Sequence, residues 1–264
     1  MCRLAAWIGR PLALSALTHA PAHSLVVQSY RPRLMREAAL NADGIGAAWY
    51  PDDGDPKPVR YRVATPAWSD ENLASLAPRV KARCLLAAVR SATPGLPVGP
   101  ANTAPYVHRR LALVHNGYLS PFREAFMRPL RERLSDEAYA LVVGGTDSEH
   151  LFAAIVQAMA GDEATDSLVR AVRGVVAECD QLAREKNGKA YLNLLATNGE
   201  ALVATRFASE GAGASLFIGN GVAGYEGGTV LASEPLTDDA GWLPVEDRVL
   251  IVATHDGQRK VSLA

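Results

Sequence analysis

Cysteine is scarce in this chain. Three occur among 264 residues, at Cys2, Cys84 and Cys179, with no CxxC pair and no Cys/His cluster. An odd, sparse set excludes a disulfide framework and a thiolate zinc site, so no metal is expected, and it suits a reducing compartment, the cytoplasm. An excess of charge of one sign is also missing. Lys and Arg total 27 against 28 Asp and Glu, a net charge of -1, which gives no electrostatic case for nucleic acid or an anionic membrane. No apolar run is long enough for a membrane-spanning helix. The first 24 residues have an early arginine, an apolar stretch and Ala20-Pro21-Ala22, in the manner of a secretory leader. Arg10-Pro11 interrupts that stretch, so the segment reads instead as a strand over 3–8, a turn at Gly9-Arg10-Pro11 and a short helix. Repeats and low-complexity segments are absent.

What is there is the composition of an ordinary folded protein, 48% hydrophobic and 21% charged. The length allows one large domain, and no shift in composition marks a boundary, so residues 1–264 are read as a single domain. Short apolar strands are expected over 46–50, 61–64, 84–90 and 111–115. Helices are expected from Ser69, over 121–134, over 147–160 with Thr146 as cap, and over 165–186 with Asn187-Gly188 as stop. The remainder reads as strands over 191–197, 201–207, 216–218, 230–233 and 249–254, with an Asn198-Gly199 hairpin turn. Strands, central helices, then strands indicate an α+β fold of two stacked, mostly antiparallel sheets with helices outside.

Chemistry concentrates in four segments at strand ends or helix starts. The first is Met1-Cys2. Methionine removal before a small side chain would give Cys2 a free α-amine beside its thiol. With ordinary pKa values of ~8 and ~8.5, these two groups can share a proton near neutrality. The others are Arg90-Ser91-Ala92-Thr93-Pro94-Gly95, His115-Asn116-Gly117 and Thr146-Asp147-Ser148-Glu149. Each has an ordinary explanation by itself. Asn-Gly is a turn signal, a lone arginine is a surface ion-pair partner, and an aspartate at a helix start complements the dipole. Glu149 and His150 look metal-like, but a helix turns them to different sides. The ordered conjunction carries the weight.

In this order the segments resemble the class II glutamine amidotransferases, whose nucleophile is a terminal cysteine. The resemblance implies the four-layer αββα sandwich of N-terminal-nucleophile hydrolases. It implies that Cys2 attacks the γ-carbonyl of a glutaminyl or γ-glutamyl group and forms a thioester, and that the Asn116 amide and the Gly117 N–H hold the oxyanion. Arg90 would grip the α-carboxylate of the glutamate half and Asp147 its α-ammonium, with Ala92, Thr93 and His115 completing the substrate site. No cofactor is implied. The partner is a small γ-glutamyl molecule, not nucleic acid or membrane, and a homo-oligomer is left open.

Further segments narrow the reading. Gln28-Ser29-Tyr30, Asn41-Ala42-Asp43-Gly44-Ile45-Gly46 with Trp49-Tyr50, and Ala232-Ser233-Glu234-Pro235-Leu236 are similar to the γ-glutamyl amidohydrolases of ergothioneine synthesis. These remove glutamate from γ-glutamyl-hercynylcysteine sulfoxide. The chain departs from them at Leu4, where a histidine is common, and in a glycine-rich stretch over 211–228. A trimethylammonium group on such a substrate favours aromatic faces, and Tyr30, Trp49, Tyr50 and Trp68 with Asp43 are the candidates for a cage. Asp43-Gly44 reads more simply as shaping the loop beside the nucleophile. The alternatives are a glutaminase subunit that delivers ammonia to a separate synthetase and a non-catalytic γ-glutamyl-binding protein. Cys84 and Cys179 sit in apolar patterns and read as core. The loops over 91–106 and 211–228 are candidate lids.

Overall fold

The structure is a computed structural model that describes residues 2–35, 40–92 and 97–263. Its strands are β1 (Arg3–Ala13), β2 (Ile45–Trp49), β3 (Val59–Val63), β4 (Lys81–Val89), β5 (Tyr106–His108), β6 (Leu111–Ser120), β7 (Lys189–Thr197), β8 (Ala201–Arg206), β9 (Phe217–Gly219), β10 (Gly228–Ala232), β11 (Trp242–Pro244), β12 (Val249–Thr254) and β13 (Gly257–Ser262). The helices are α1 (Ser15–Thr18), α2 (Leu25–Tyr30), α3 (Glu71–Leu76), α4 (Met127–Glu132), α5 (Asp136–Tyr139), α6 (Asp147–Met159) and α7 (Thr165–Glu185). One sheet runs β11-β9-β10-β1-β4-β2-β3 and the other β13-β12-β8-β7-β6-β5, and the paired strands are antiparallel.

Strand alternation builds the layers. Leu4, Ala6 and Ile8 of β1 meet Ala112 and Val114 of β6 in an apolar cluster between the sheets. Ala5 and Trp7 point the other way, onto Leu17, Leu25 and Leu73 of α1, α2 and α3. Leu111 and Leu113 face Leu151, Ile155, Leu168 and Val172 of α6 and α7. The result is the expected four-layer order of helices, sheet, sheet, helices. Burial on both faces explains why these strands read as continuous apolar runs, each enclosed Leu or Ile adding ~1.5–3 kcal/mol over an exposed one. Cys84 and Cys179 are fully buried in these layers, and burial pushes the Cys84 thiol up to about 12.

Local details depart from the sequence reading in three places. No turn forms at Gly9-Arg10-Pro11, because β1 continues through a register shift between Ile8 and Leu12 and pairs again with β4. The cap of α3 is Asp70, which accepts from the Leu73 N–H at 3.1 Å, and Ser69 lies in the preceding 3-10 turn. The helix expected over 121–134 opens with a wide π turn at Phe122–Phe126 before α4. Thr146 caps α6 as expected, in a reciprocal box with Glu149.

The register fixes where chemistry can occur. Arg3 pairs with Val89, and Val89 pairs with Ile45, so the start of β1, the end of β4 and the start of β2 form one edge. Both β1 and β4 pack over β6. This brings Cys2, Arg90 and the His115-Asn116-Gly117 segment to the same end of the sandwich.

Candidate active site

Cys2, Arg90, Ser91, His115, Gly117 and Asp147 line one cavity, with Asn102, Tyr106, Thr146 and Ser148 completing its wall. Cys2 is half-buried, and its Sγ lies 3.9 Å from the Ser91 carbonyl oxygen.

Arg90 follows β4 directly. Its N–H donates to the Gly44 carbonyl at 2.8 Å, and its own carbonyl accepts from the Asp43 N–H at 3.1 Å. The Asp43 carboxylate then accepts from the Ala92 N–H at 2.7 Å, so Asp43 shapes this loop and takes up the Ala92 donor. Gly44 is required here: at φ +133 a Cβ would stand 2.6 Å from the Val63 carbonyl oxygen. The Arg90 guanidinium is 7% exposed, and Nη2 donates to the Pro97 carbonyl at 3.4 Å. Its Nη1 is buried with no hydrogen-bond partner among the described residues. A buried, unpaired guanidinium nitrogen is costly unless something occupies it, and a ligand carboxylate is the natural occupant.

Asp147 opens α6. One carboxylate oxygen accepts from the Leu119 N–H at 2.9 Å and the other from the Ser148 N–H at 2.7 Å. These bonds hold the carboxylate at the helix N-terminus, in the wall of the cavity. Behind it His150 is fully buried between the Thr146 carbonyl at 2.7 Å and Arg131 Nε at 2.8 Å. Burial first, and then the Arg131 charge, hold its pKa below the usual histidine value.

His115 differs from a free substrate ligand. Nδ1 lies 3.0 Å from Ser148 Oγ and Nε2 lies 3.0 Å from the Tyr191 carbonyl. A carbonyl only accepts, so Nε2 donates to it, while Nδ1 pairs with the Ser148 hydroxyl, which also reaches an Asp147 carboxylate oxygen at 3.3 Å. Both ring nitrogens are engaged, and the side chain braces β6, β7 and α6. Gly117 leaves no room for a side chain, since a Cβ would stand 1.8 Å from the Tyr191 carbonyl oxygen.

Asn116 sits fully buried and is not among the residues lining the cavity. Its Nδ2 donates to Ser233 Oγ at 3.3 Å, and its Oδ1 has no partner among the described residues. Ser233 also accepts from the Leu4 N–H at 3.0 Å. Ser233 and Glu234 were noted in the sequence only as part of a resembling segment, without a role. Their one signal was polarity immediately after the apolar strand β10. Thr93, with Pro94 and Gly95, lies outside the described residues.

The aromatic cage does not assemble. Trp49 lies four positions beyond Ile45 on β2, about 13 Å along the strand from the Cys2 edge. Tyr50 is half-buried, and its hydroxyl is within hydrogen-bond reach of the Arg110 carbonyl at 2.6 Å and the Thr197 carbonyl at 3.0 Å. Tyr30 and Trp68 stack edge to face with centroids 5.8 Å apart on the outer helical layer. Strand alternation and the length of β2 separate residues that are close in sequence.

Residues 12–211 match the family described as glutamine amidotransferases class-II. The chain belongs to this family. The match begins after Cys2. Over 251 residues the chain is 38% identical to the γ-glutamyl-hercynylcysteine sulfoxide hydrolase of Mycolicibacterium smegmatis, covering 95% of each. It is 36% identical over 258 residues to the protein of that name from Mycobacterium tuberculosis, covering 97% of this chain and 94% of that one. Among solved structures, a glutamine aminotransferase class-II domain protein from Silicibacter pomeroyi superposes with a TM-score of 0.70 at 25% identity over 100% of both chains. The glutamine phosphoribosylpyrophosphate amidotransferase of B. subtilis has a TM-score of 0.67 at 18% identity over 49% of its length, a likeness of fold. No helix among the described residues of this family member is long and apolar enough to cross a membrane.

Proposed function

We propose that the protein is an amidohydrolase that cleaves the γ-glutamyl amide of γ-glutamyl-hercynylcysteine sulfoxide, or a near relative of it, through a cysteine thioester. The observation that carries this reading is Arg90, whose buried Nη1 has no partner among the described residues, in the wall of a cavity shared with Asp147 and Cys2. A fixed cation and a fixed anion select a free glutamate end over a generic amide, and the thiol lies beside them. The relatives' names supply the leaving group.

In this reading Met1 is removed, and the Cys2 α-amine accepts the thiol proton as sulfur attacks the γ-carbonyl. The tetrahedral oxygen takes the Gly117 N–H and the Asn116 amide. A half-turn of that amide lets the Ser233 hydroxyl donate to Oδ1 and frees Nδ2 for the oxyanion, satisfying the acceptor that otherwise has no partner. The leaving amine takes the proton, and water then releases glutamate from the thioester and restores the thiol. Each oxyanion donor is worth ~3 kcal/mol of barrier. The whole chain acts as one domain, and a nucleophilic thiol that must stay reduced suits the cytoplasm.

Kinetics with the sulfoxide conjugate and with glutamine, joined to intact-mass analysis, test this. Rapid cleavage of the conjugate, slow cleavage of glutamine and loss of Met1 are expected, with Cys2→Ala inactive. Retained Met1, or an active Cys2→Ala variant, overturns the mechanism. Fast glutamine hydrolysis stimulated by a partner protein would instead assign a glutaminase subunit.

A further inference from the structure

Next to the nucleophile lies a second cavity, of about 510 Å³, walled by Arg3, Arg33, Tyr118, Tyr191, Arg206 and Ser215 among others. The two cavities are lined by neighbouring residues of the chain. Arg3 follows Cys2, Tyr118 follows Gly117, and Tyr191 supplies the carbonyl that His115 Nε2 reaches. Ser215 of the second cavity's wall is also linked through Ser233 to Asn116, with Ser215 Oγ donating to the Ser233 carbonyl at 2.7 Å and Asn116 Nδ2 to Ser233 Oγ at 3.3 Å. If the glutamate half of the substrate lies between Arg90 and Asp147, the amine half extends across Cys2 to the other side of the scissile bond. The second cavity is of a size for such a group.

Its charge is one-sided. Three arginines line it, and no Asp or Glu does among the described residues. Arg3 is committed to Glu234 at 3.2 Å. Arg206 is fixed by two backbone carbonyls, with Nε on Ala214 at 3.1 Å and Nη1 on Val245 at 2.6 Å, which leaves Nη2 without a partner among the described residues. Among the described residues the Arg33 side chain pairs only with Asp238 at the surface, where both side chains are more than half exposed; a pair so hydrated is readily exchanged. Tyr118 and Tyr191 form a tilted aromatic pair with centroids 4.9 Å apart, a wall for a flat or apolar portion.

We propose that this cavity is the leaving-group subsite, and that it selects an α-amino-acid leaving group through its free carboxylate, held by Arg206 and Arg33 beside the Tyr118–Tyr191 wall. The inference rests on the γ-glutamyl amidohydrolase reading and adds the residues that recognise the leaving group's carboxylate.

The test compares kcat/KM for a γ-glutamyl S-substituted cysteine that has a free cysteine carboxylate with kcat/KM for the same compound capped as a carboxamide. The wild-type protein should prefer the free acid by about tenfold or more, as expected for losing a charge-assisted hydrogen bond. Arg206→Gln and Arg33→Gln should each shrink that ratio several-fold. Because Arg206 also anchors two loops, the exposed Arg33→Gln variant carries the test if Arg206→Gln does not fold. A wild-type ratio near one, or a ratio unmoved in the folded variants, overturns the subsite while leaving the hydrolase reading intact. A wild-type protein that cleaves neither compound removes the hydrolase reading and the subsite with it.

Discussion

Arg3 and Glu234 lie 231 positions apart in sequence, yet Arg3 Nη1 donates to Glu234 Oε1 at 3.2 Å, with the two side chains 1% and 0% exposed. The same carboxylate accepts from the Arg33 N–H at 2.7 Å and the Leu34 N–H at 3.0 Å and meets His23 Nε2 at 2.8 Å. One buried acid thus ties the residue after Cys2 to the segment that follows α2. The adjoining Ser233 is bonded to Leu4 in both directions, through its N–H and through its hydroxyl. The tail of the chain is therefore the clamp that holds its beginning in place.

Removing one partner from such a cluster strands the other charges. Glu234→Gln is expected to lower stability by ~3–5 kcal/mol at neutral pH, read as a fall in Tm or denaturation midpoint. Burial raises the Glu234 pKa, but the bonds from His23, Arg33 and Leu34 and the Arg3 charge outweigh it and leave the group below its ordinary 4.5. A depressed carboxyl pKa contributes stability that is complete above the unfolded value and is lost as pH falls through the folded one. The wild-type Tm should therefore fall as pH drops below 4.5, and the fall should be shallower in Glu234→Gln. Parallel profiles for the two proteins would refute the role.

Arg90→Lys keeps the charge and loses the planar fork. On the proposed reading Nη1 takes the substrate carboxylate, so KM for γ-glutamyl substrates should rise about tenfold or more, by the value of a charge-assisted hydrogen bond. Steady-state kinetics on the folded variant check this. An unchanged KM would show that the unpaired nitrogen faces no substrate.

Ser233→Ala removes the hydroxyl that fixes the Asn116 amide. The expected outcome is a loss of kcat of about tenfold or more with KM little changed, since an oxyanion contact acts only in the transition state. A loss confined to Tm would assign Ser233 to anchoring Leu4 alone.

Gly117→Ala places a methyl 1.8 Å from the Tyr191 carbonyl oxygen, a backbone atom that cannot swing aside. β6 and β7 must separate at the site, so soluble yield and Tm should both fall sharply. Normal Tm in this variant would contradict the close approach.

The layers were legible in the sequence because strands covered on both faces have no choice but to be apolar throughout. The helices α6 and α7 were legible because Thr146 and Asn187-Gly188 punctuate them. The end of β4 and the start of α6 announced Arg90 and Asp147 by motif. The strand register could not be read, and it put Trp49 and Tyr50 too far along β2 to face the substrate. Nor could the continuation of β1 through Pro11, which depends on pairing with β4.

The order of reactive groups along the chain was enough to name the family and the groups that could react, because nucleophile, cation, amide and acid recur there at characteristic strand ends and helix starts. Which polar atoms are left over for a substrate was decided only in three dimensions. His115 is spent on Ser148 and Tyr191, the Ala92 N–H on Asp43, and Arg90 Nη1 keeps no partner among the described residues. Each of those outcomes depends on partners 33 to 76 positions away, or on their absence. Hydrogen bonds are settled by proximity after packing, and a linear pattern has no record of it.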